Sequence, residues 1–269
     1  PILNVPSNYY GMVSKAIIDT YNIPLFVPLI QTGQPDPNLT VYQVQLGYNG
    51  FLSDPINVVF VTLNASEQIP SPPLVKQDVT SAYYYVYNYS EFLSCINTAF
   101  INAILNLQTK DPSIPNAEAP ELYFLPETGI VLKAPCQYYY QPVGTTPQAN
   151  SIQIYINDYL STLLCGIGVS IVSGNQPCNL LVYCYDVTLP NVLPTTGYYL
   201  MTQQNISQLC YWNCCTTIYL NSNMPVVPEY IQSSDINMVQ NQTQVSLFDI
   251  SPDYSDITTY SNSICLLYT

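Results

Sequence analysis

The sequence predicts a mainly β fold, namely a jelly-roll-like β-sandwich with a few inserted helices and an extended N-terminal arm. Strand- and turn-forming residues are abundant, with 26 Tyr and 23 Pro among 269 residues. Charged residues make up only 8% of the chain, against roughly 25% in ordinary soluble domains. Between ten and a dozen short strand-like segments follow one another, which is typical of a sandwich or jelly roll.

The N-terminal 28 residues contain several prolines and predict an extended arm around one short helical stretch near Met12 to Thr20. Residues 29–269 are predicted to form the β-sandwich domain. Because this length suits either one large all-β domain or two small ones, the domain could be divided into two subdomains near residues 110–120.

Periodicity predicts the strands. Residues 40–46 alternate strictly, with Tyr42, Val44 and Leu46 on one face, and so predict a half-buried strand. Residues 57–63 are apolar at almost every position and predict a strand buried on both faces. Further strands are predicted at residues 82–89, 121–125, 129–132, 137–141, 152–156, 169–172, 180–186, 198–202, 214–220 and 245–250.

Two helices are predicted among these strands. The longer begins at Ser90 as the capping residue and ends before residues 110–112, with Phe92, Ile96, Phe100, Ala103 and Leu107 at helical spacing. The shorter covers residues 158–164, where Asn157 is placed to cap the first turn and Gly166 to end the helix.

The scarcity of cationic residues excludes several classes of function. The chain has four lysines (Lys15, Lys76, Lys110 and Lys133), no Arg and no His, and a net charge of −13. Four scattered lysines cannot form a phosphate-binding patch, so direct nucleic-acid binding is not expected. No apolar run approaches the ~20 residues of a transmembrane helix. The absence of His removes Ser-His-Asp and Cys-His catalysis.

Nine cysteines leave the thiol chemistry open between buried thiols, disulfides and metal ligation. The densest group is Cys210, Cys214 and Cys215, with Cys178 and Cys184 upstream. Four thiolates can hold Zn²⁺, but no Cys-x-x-Cys spacing is present. Because most cysteines lie within apolar runs, buried thiols are the preferred interpretation, and no metal or cofactor is predicted.

Carboxylates are the remaining candidates for chemistry. Glu118, Glu121, Glu127 and Asp158 are available for a two-carboxylate glycosidase, but no spacing selects a pair, and Trp212 is the single Trp. Asp249, Asp253 and Asp256 lack the spacing and the glycine of an EF-hand loop, so a solvated loop is the preferred interpretation. No catalytic residue is therefore predicted.

Two further patterns bear on function. Sequons occur at Asn38, Asn64, Asn88, Asn205 and Asn241, as expected by chance in a chain rich in Asn, Ser and Thr. The tyrosine runs at residues 83–87 and 138–140 place Tyr on both faces of their predicted strands. Such residues suit either protein–protein contacts or a strand buried on both faces.

Three segments carry a resemblance to known proteins. They are Ser90-Glu91-Phe92 at the start of the helix, the strand-to-helix run at residues 154–160, and residues 218–229, Ile-Tyr-Leu-Asn-Ser-Asn-Met-Pro-Val-Val-Pro-Glu. In this pattern the chain resembles capsid and other structural proteins of non-enveloped viruses, over about half of its length. The resemblance implies a jelly-roll shell subunit whose arm reaches neighbours. A basic arm, which many capsid proteins use to bind the genome, is absent here.

The leading hypothesis is therefore a non-enzymatic virion protein, made in the cytoplasm, that assembles with itself and other structural proteins through symmetric interfaces. The first alternative is a secreted or surface binding module, adhesin- or lectin-like, stabilised by disulfides. The remaining alternative is the two-carboxylate glycosidase.

Overall fold

The computed structural model describes residues 24–63, 66–144, 146–172, 176–186 and 196–203, together with the backbone of four strands at 15–19, 218–222, 245–250 and 259–263. The chain forms two compact units. The central unit is Pro24–Cys214, and the terminal unit combines Pro1–Ile23 with Cys215–Thr269. The predicted arm boundary at residue 28 and the division near residues 110–120 stay predictions.

Strands dominate the described part of the chain, and the predicted mainly β class with inserted helices is confirmed. Two α-helices are present, α1 at Tyr89–Lys110 and α2 at Asp158–Leu163. The strands are β1 Lys15–Asp19, β2 Leu39–Tyr48, β3 Phe51–Leu52, β4 Ile56–Val59, β5 Glu121–Leu125, β6 Gly129–Pro135, β7 Ile152–Ile156, β8 Val169–Ile171, β9 Leu180–Val182, β10 Tyr198–Thr202, β11 Ile218–Ser222, β12 Val245–Ile250 and β13 Thr259–Ser263.

The terminal unit contains two antiparallel strand pairs. Strand β1 pairs with β13, and β11 pairs with β12. The helical stretch predicted near Met12 to Thr20 is wrong over Lys15–Asp19, which form β1. Two adjacent β-branched residues, Ile17 and Ile18, favour the extended backbone, and β13 supplies the partner that no sequence pattern revealed.

The central unit contains two antiparallel sheets. The larger has the order β3-β2-β7-β9-β8, and β4 also pairs with β2. The smaller has the order β10-β6-β5. Register between β2 and β7 places Val44 opposite Ile156 and Leu46 opposite Ile154, so the apolar rows of the two longest neighbours lie on the same face.

Helix α1 joins the two sheets into one hydrophobic core. It packs against β2 and β4 of the larger sheet and β5 of the smaller sheet. Its five predicted apolar residues are all buried, and the Phe92 ring contacts the rings of Phe26 and Tyr42 at centroid distances of 5.1 and 5.5 Å. Val44, Ile96 and Ile130 belong to one buried cluster, so both sheets and the helix are layers of a single core.

The capping residue of α1 differs from the prediction. Asn88, and not Ser90, caps the helix, because the Asn88 side chain accepts a hydrogen bond from the Glu91 backbone N–H. The Glu91 carboxylate in turn accepts from the Tyr87 N–H at 3.2 Å. By contrast, Asn157 caps α2 as predicted, since it accepts from the Leu160 N–H at 3.0 Å.

The prediction that residues 57–63 are buried on both faces is wrong. Val58 and Phe60 are buried, whereas the exposed fractions of Val59, Val61 and Leu63 are 43%, 64% and 70%. Apolar residues occupy both faces of this run, so the alternation between buried and exposed side chains cannot be read from the sequence. The run has one face on the core and one face uncovered within the central unit.

Two tyrosine-rich strands were also predicted wrongly. Residues 82–84 form one turn of 3₁₀ helix, and Val86 makes only an isolated bridge to Phe26. Residues 136–138 form a turn, and Gln141 makes an isolated bridge to Cys184. Tyrosine favours strands. In the first of these segments, however, α1 begins at Tyr89 and leaves little room for a strand before it.

Candidate functional site

Seven large apolar side chains are exposed between residues 59 and 79, a run that we name the apolar segment. Leu74 is 96% exposed and Ile69 60%. The seven residues are Val59, Val61, Leu63, Ile69, Leu74, Val75 and Val79. Single exposed apolar residues are ordinary on protein surfaces, but a concentration of them marks an interaction site.

The first three of these residues are held outward by the strand backbone. Strand pairing continues beyond β4, because the Phe60 N–H donates to the Asn38 carbonyl at 2.8 Å. The Phe60 ring lies 5.9 Å from the ring of Tyr83 and 5.8 Å from that of Tyr84, measured between centroids. Since successive strand residues point to opposite faces, the burial of Phe60 turns Val59 and Val61 outward.

The rest of the apolar segment is tied to the central unit by hydrogen bonds. The Ile30 N–H donates to the Lys76 carbonyl at 2.6 Å, and the Gln77 side-chain amide donates to the Val27 carbonyl at 3.0 Å. The Tyr85 hydroxyl donates to the Val79 carbonyl at 2.7 Å. The backbone around Leu74 is therefore anchored while its side chain stays in solvent.

The apolar segment is large enough and neutral enough to suit a protein partner. From their exposed fractions, the seven side chains present on the order of 700 Å², close to the ~800 Å² that each partner contributes to a standard interface. Only Glu67, Lys76 and Asp78 are charged between residues 59 and 79. Lys76 donates to the Tyr159 hydroxyl at 2.9 Å.

Glu118 and Glu121, two of the four carboxylates considered as glycosidase candidates, lie close to the same two side chains, Lys133 and Tyr198. The Lys133 ammonium lies 3.2 Å from Glu121 and 4.4 Å from the centre of the Tyr198 ring. The Tyr198 hydroxyl donates to Glu118 at 3.2 Å. The hydrogen bond that the Lys133 ammonium donates to Glu121 raises the pKa of Lys133. These contacts engage Glu118 and Glu121 with partners inside the chain.

The other two carboxylates lie in separate elements. Glu127 is exposed in the turn between β5 and β6, and Asp158 is the exposed first residue of α2. Of the acidic run near the C-terminus, Asp249 belongs to β12, while Asp253 and Asp256 lie outside the described residues.

The described cysteines support the interpretation as buried thiols. Cys95, Cys136, Cys178 and Cys184 are buried, Cys165 is partly buried, and none of these five forms a disulfide. Burial raises the pKa of Cys178 to about 12 and raises that of Cys95 as well. Raised thiol pKa values oppose nucleophilic or metal-binding chemistry, which needs the thiolate.

The densest group of cysteines in the sequence, Cys210, Cys214 and Cys215, lies outside the described residues, as does Cys265. Within the ranges that are described, no group of three or more His, Cys, Asp or Glu side chains could hold a metal ion.

Two of the five sequon asparagines have structural roles. Asn38 accepts a hydrogen bond from the Tyr83 hydroxyl at 2.8 Å, and Asn88 caps α1. Asn64, Asn205 and Asn241 lie outside the described residues.

The tyrosine runs mostly serve the interior. Tyr83, Tyr84 and Tyr139 are buried, and their hydroxyls donate to Asn38, the Pro37 carbonyl and the Glu118 carbonyl, respectively. Tyr87 is the exception, at 45% exposed. The sequence left these tyrosines open between protein–protein contacts and burial, and it predicted no interaction surface in the apolar segment, whose signal was the density of Val and Leu around Pro70, Pro72 and Pro73.

The structure adds one observation on membranes. Among the helices in the described ranges, none is both long enough and apolar enough to cross a bilayer.

Comparisons with known proteins converge on one group of viral proteins. The family model described as Sputnik minor capsid protein V18/19 matches residues 1–259. A protein of Sputnik virophage described as uncharacterized protein V18 is 44% identical over 110 residues, which cover 38% of this chain and 65% of that protein. The matched part is thus less than two thirds of the relative's length.

A solved structure is similar over nearly the whole chain. In the 3.5 Å cryo-EM structure of the Sputnik virophage, one chain is 28% identical, with a TM-score of 0.66, over 95% of this chain and 74% of that one.

Proposed function

This chain belongs to the Sputnik minor capsid protein V18/19 family, and we propose that it helps to build the virion shell by binding neighbouring capsid subunits, copies of itself among them. It is a capsid-associated structural protein of the virion, in agreement with the first of the three hypotheses from the sequence. The proposal adds the surface through which it assembles and the nature of its partner.

The exposure of seven large apolar side chains in the apolar segment is the main support for this proposal. Burying on the order of 700 Å² of apolar surface at about 25 cal/mol per Å² is a large driving force, most of which offsets the cost of ordering two partners. Because Lys76, Gln77 and Val79 are anchored by hydrogen bonds, little loop ordering is left to oppose association.

A neighbouring capsid subunit is the occupant that this surface fits. Nucleic acid would need a cluster of cations, whereas Lys76 is the single cation of the apolar segment. A second copy of this chain offers a similarly uncharged surface, since only 8% of its residues are charged. Contacts between such surfaces avoid the repulsion that a net charge of −13 would otherwise impose on two copies.

The proposal includes a structural and not a catalytic role. The carboxylates best placed for chemistry, Glu118 and Glu121, are engaged with Tyr198 and Lys133. We also propose that the part of the predicted arm that precedes β1, residues 1–14, reaches a neighbouring subunit. The rest of the predicted arm has contacts within the chain, since Lys15–Asp19 pair with β13 and Phe26 and Val27 are buried in the core.

Assembly of purified chain tests the proposal. Sedimentation velocity over a concentration series, with electron microscopy of the concentrated sample, is expected to show oligomers for the unchanged protein. Replacing Val61 and Leu74 by Ser should shift the population to monomer and reduce incorporation into particles when other capsid proteins are co-expressed, since two exposed anchors are lost.

A matched control separates assembly from general surface effects. Leu105→Ser removes a side chain of similar exposure, 54%, from the outer face of α1 and is expected to leave assembly unchanged. If the double variant assembles as well as the unchanged chain, the apolar segment is not the interface.

A further inference from the structure

A second feature of the central unit is a groove on the outer face of β2, which adjoins the apolar segment where Lys76 contacts Tyr159. Its volume is about 350 Å³. It lies between the chain that precedes β2 and the start of α2. The lining residues are Gln31, Val41, Gln43, Asn157, Asp158, Tyr159 and Pro177.

The amide side chains of the groove are fixed by their own hydrogen bonds. Both Gln31 and Gln43 donate from Nε2 to Oδ1 of Asn57, at 3.2 and 2.7 Å. Gln31 Nε2 also donates to the Thr40 carbonyl at 2.8 Å. The three amides therefore hold one arrangement before any ligand arrives, which reduces the entropy lost on binding.

Asn157 fixes the end of the groove. Its Oδ1 accepts from the Leu160 N–H and from the Gln43 N–H, at 3.0 and 3.2 Å, and its Nδ2 donates to the Val41 carbonyl at 2.8 Å. This buried side chain connects α2 to β2. Asp158 and Tyr159, the next two residues, are consequently held at the rim.

Hydrogen-bonding groups remain available on these fixed amides. Within the described residues, Oε1 of Gln31 and Oε1 of Gln43 accept no hydrogen bond, and Nε2 of Gln43 donates only one of its two hydrogens, to Asn57. The exposed carboxylate of Asp158 adds a further acceptor. A side-chain amide can make up to four hydrogen bonds, so the groove offers both donors and acceptors at set positions.

An aromatic ring stands beside these groups. Tyr159 is 43% exposed. The Lys76 ammonium donates to its hydroxyl at 2.9 Å and lies 5.2 Å from the ring centre. This contact restrains the ring at the rim, where it can pack against the apolar face of a ligand.

We propose that this groove binds a neutral saccharide. Paired donors and acceptors match vicinal hydroxyl groups, each of which donates one hydrogen bond and accepts others, and Tyr159 suits the apolar face of a sugar ring. Anions are opposed by Asp158 and by the net charge of −13. A wholly apolar ligand would leave the side-chain oxygens of Gln31 and Gln43 without hydrogen bonds.

Saccharide binding goes beyond the proposed function and can be tested without it, whereas a role in attachment rests on assembly into a shell. An open groove of this size gives weak binding at one site, but many copies in a shell would act together on a surface that bears repeated sugars. The groove would then serve attachment of the particle.

Ligand-observed saturation-transfer NMR on the full chain tests the inference. The probes are neutral oligosaccharides that end in glucose, galactose, mannose or N-acetylglucosamine, each at millimolar concentration. Saturation transfer is expected for at least one probe. Tyr159→Ala should weaken binding by about fivefold to tenfold through loss of ring contact, and Gln43→Leu should reduce it similarly.

Controls make each outcome decisive. Tyr87→Ala removes a tyrosine of equal exposure, 45%, away from the groove and should leave binding unchanged. Thermal unfolding verifies that each variant is folded, and if Gln43→Leu is not folded, Tyr159→Ala decides alone. The inference is overturned if no saccharide shows transfer, or if transfer persists undiminished in the folded variants. Binding of short neutral peptides without any saccharide would also overturn it.

Discussion

Strands β2 and β4 are paired neighbours, yet their outer faces differ. On β2 the outer row includes Gln43 and Gln45, which hydrogen-bond to Asn57 and to the Ser53 carbonyl, and Gln45 is buried. On β4 and its continuation the outer row is Val59, Val61 and Leu63, all exposed. The amide nitrogens of the polar row donate to groups of the same subunit, whereas Oε1 of Gln45 accepts no hydrogen bond within the described residues. The apolar row has no such cover in the described part of the chain.

The difference separates two kinds of surface. Side chains such as Gln43 make their contacts within the subunit, so they contribute to folding. Side chains such as Val61 gain little from folding and can gain only from association. Substitutions in the inner and outer rows should therefore affect different measurements.

The largest expected effect comes from the inner row beneath β4. Phe60→Ala removes a ring that is 1% exposed and contacts two tyrosine rings, and should lower the free energy of unfolding by about 3–5 kcal/mol. Urea unfolding followed by fluorescence measures this. A loss below about 1 kcal/mol would mean that this row is not part of the core.

Asn157 on the side of β2 comes next. Asn157→Ala removes the cap of α2 and both links to β2, leaving backbone groups unpaired, and should cost about 2–3 kcal/mol of unfolding free energy. The matched control is Asn88→Ala at the exposed cap of α1, where about 1 kcal/mol is expected. Equal losses at the two caps would contradict a bridging role for Asn157.

The outer row should show a small effect on stability and a clear one on association. Val61→Ser should change the free energy of unfolding of the monomer by no more than about 0.5 kcal/mol, because the side chain is 64% exposed. Oligomer formation measured in parallel by light scattering should weaken. A large loss of stability with unchanged association would show that Val61 contributes to folding and not to an interface.

The smallest effect concerns the ion pair at the end of α1. Hydrogen bonds from Lys110 and Asn106 lower the pKa of Asp54 below its ordinary value of 3.8. The stability that this carboxylate contributes is thus present above that pH and is lost as pH falls through the lower folded pKa. The pair is exposed, so the contribution is small.

Comparison of the unchanged protein with Asp54→Asn measures this contribution. The difference in unfolding free energy should be visible at neutral pH and should shrink as the pH falls below 3.8. A difference that does not change with pH would exclude a contribution from the charge of Asp54.

Much of the central unit was predictable because its patterns are local. Alternation identified β2, and helical spacing from Phe92 to Leu107 identified α1. Asn157, a residue type that favours the N-cap position of helices, identified the start of α2. In each of these, the side chains within a few residues of one another contain the whole signal.

The failures share a physical cause. Residues 82–89 favour strands locally, but the start of α1 and the single bridge of Val86 to Phe26 decide their conformation. Lys15–Asp19 form a strand because β13, more than 200 residues later, pairs with them. Propensity cannot anticipate such partners, because β pairing depends on residues that are distant in sequence.

The sequence by itself determined that the protein is mainly β, contains four Lys and no Arg or His, and is similar to viral structural proteins. Only the tertiary structure decided which apolar residues are covered and which amides converge. Residues 57–63 are apolar at almost every position, so only the packing of α1 on β4 and of the Tyr83 and Tyr84 rings on Phe60 distinguishes the core row from the exposed row. Likewise, Gln31 reaches Asn57, and Asn157 reaches Val41, only because β2 aligns segments that lie far apart in the chain.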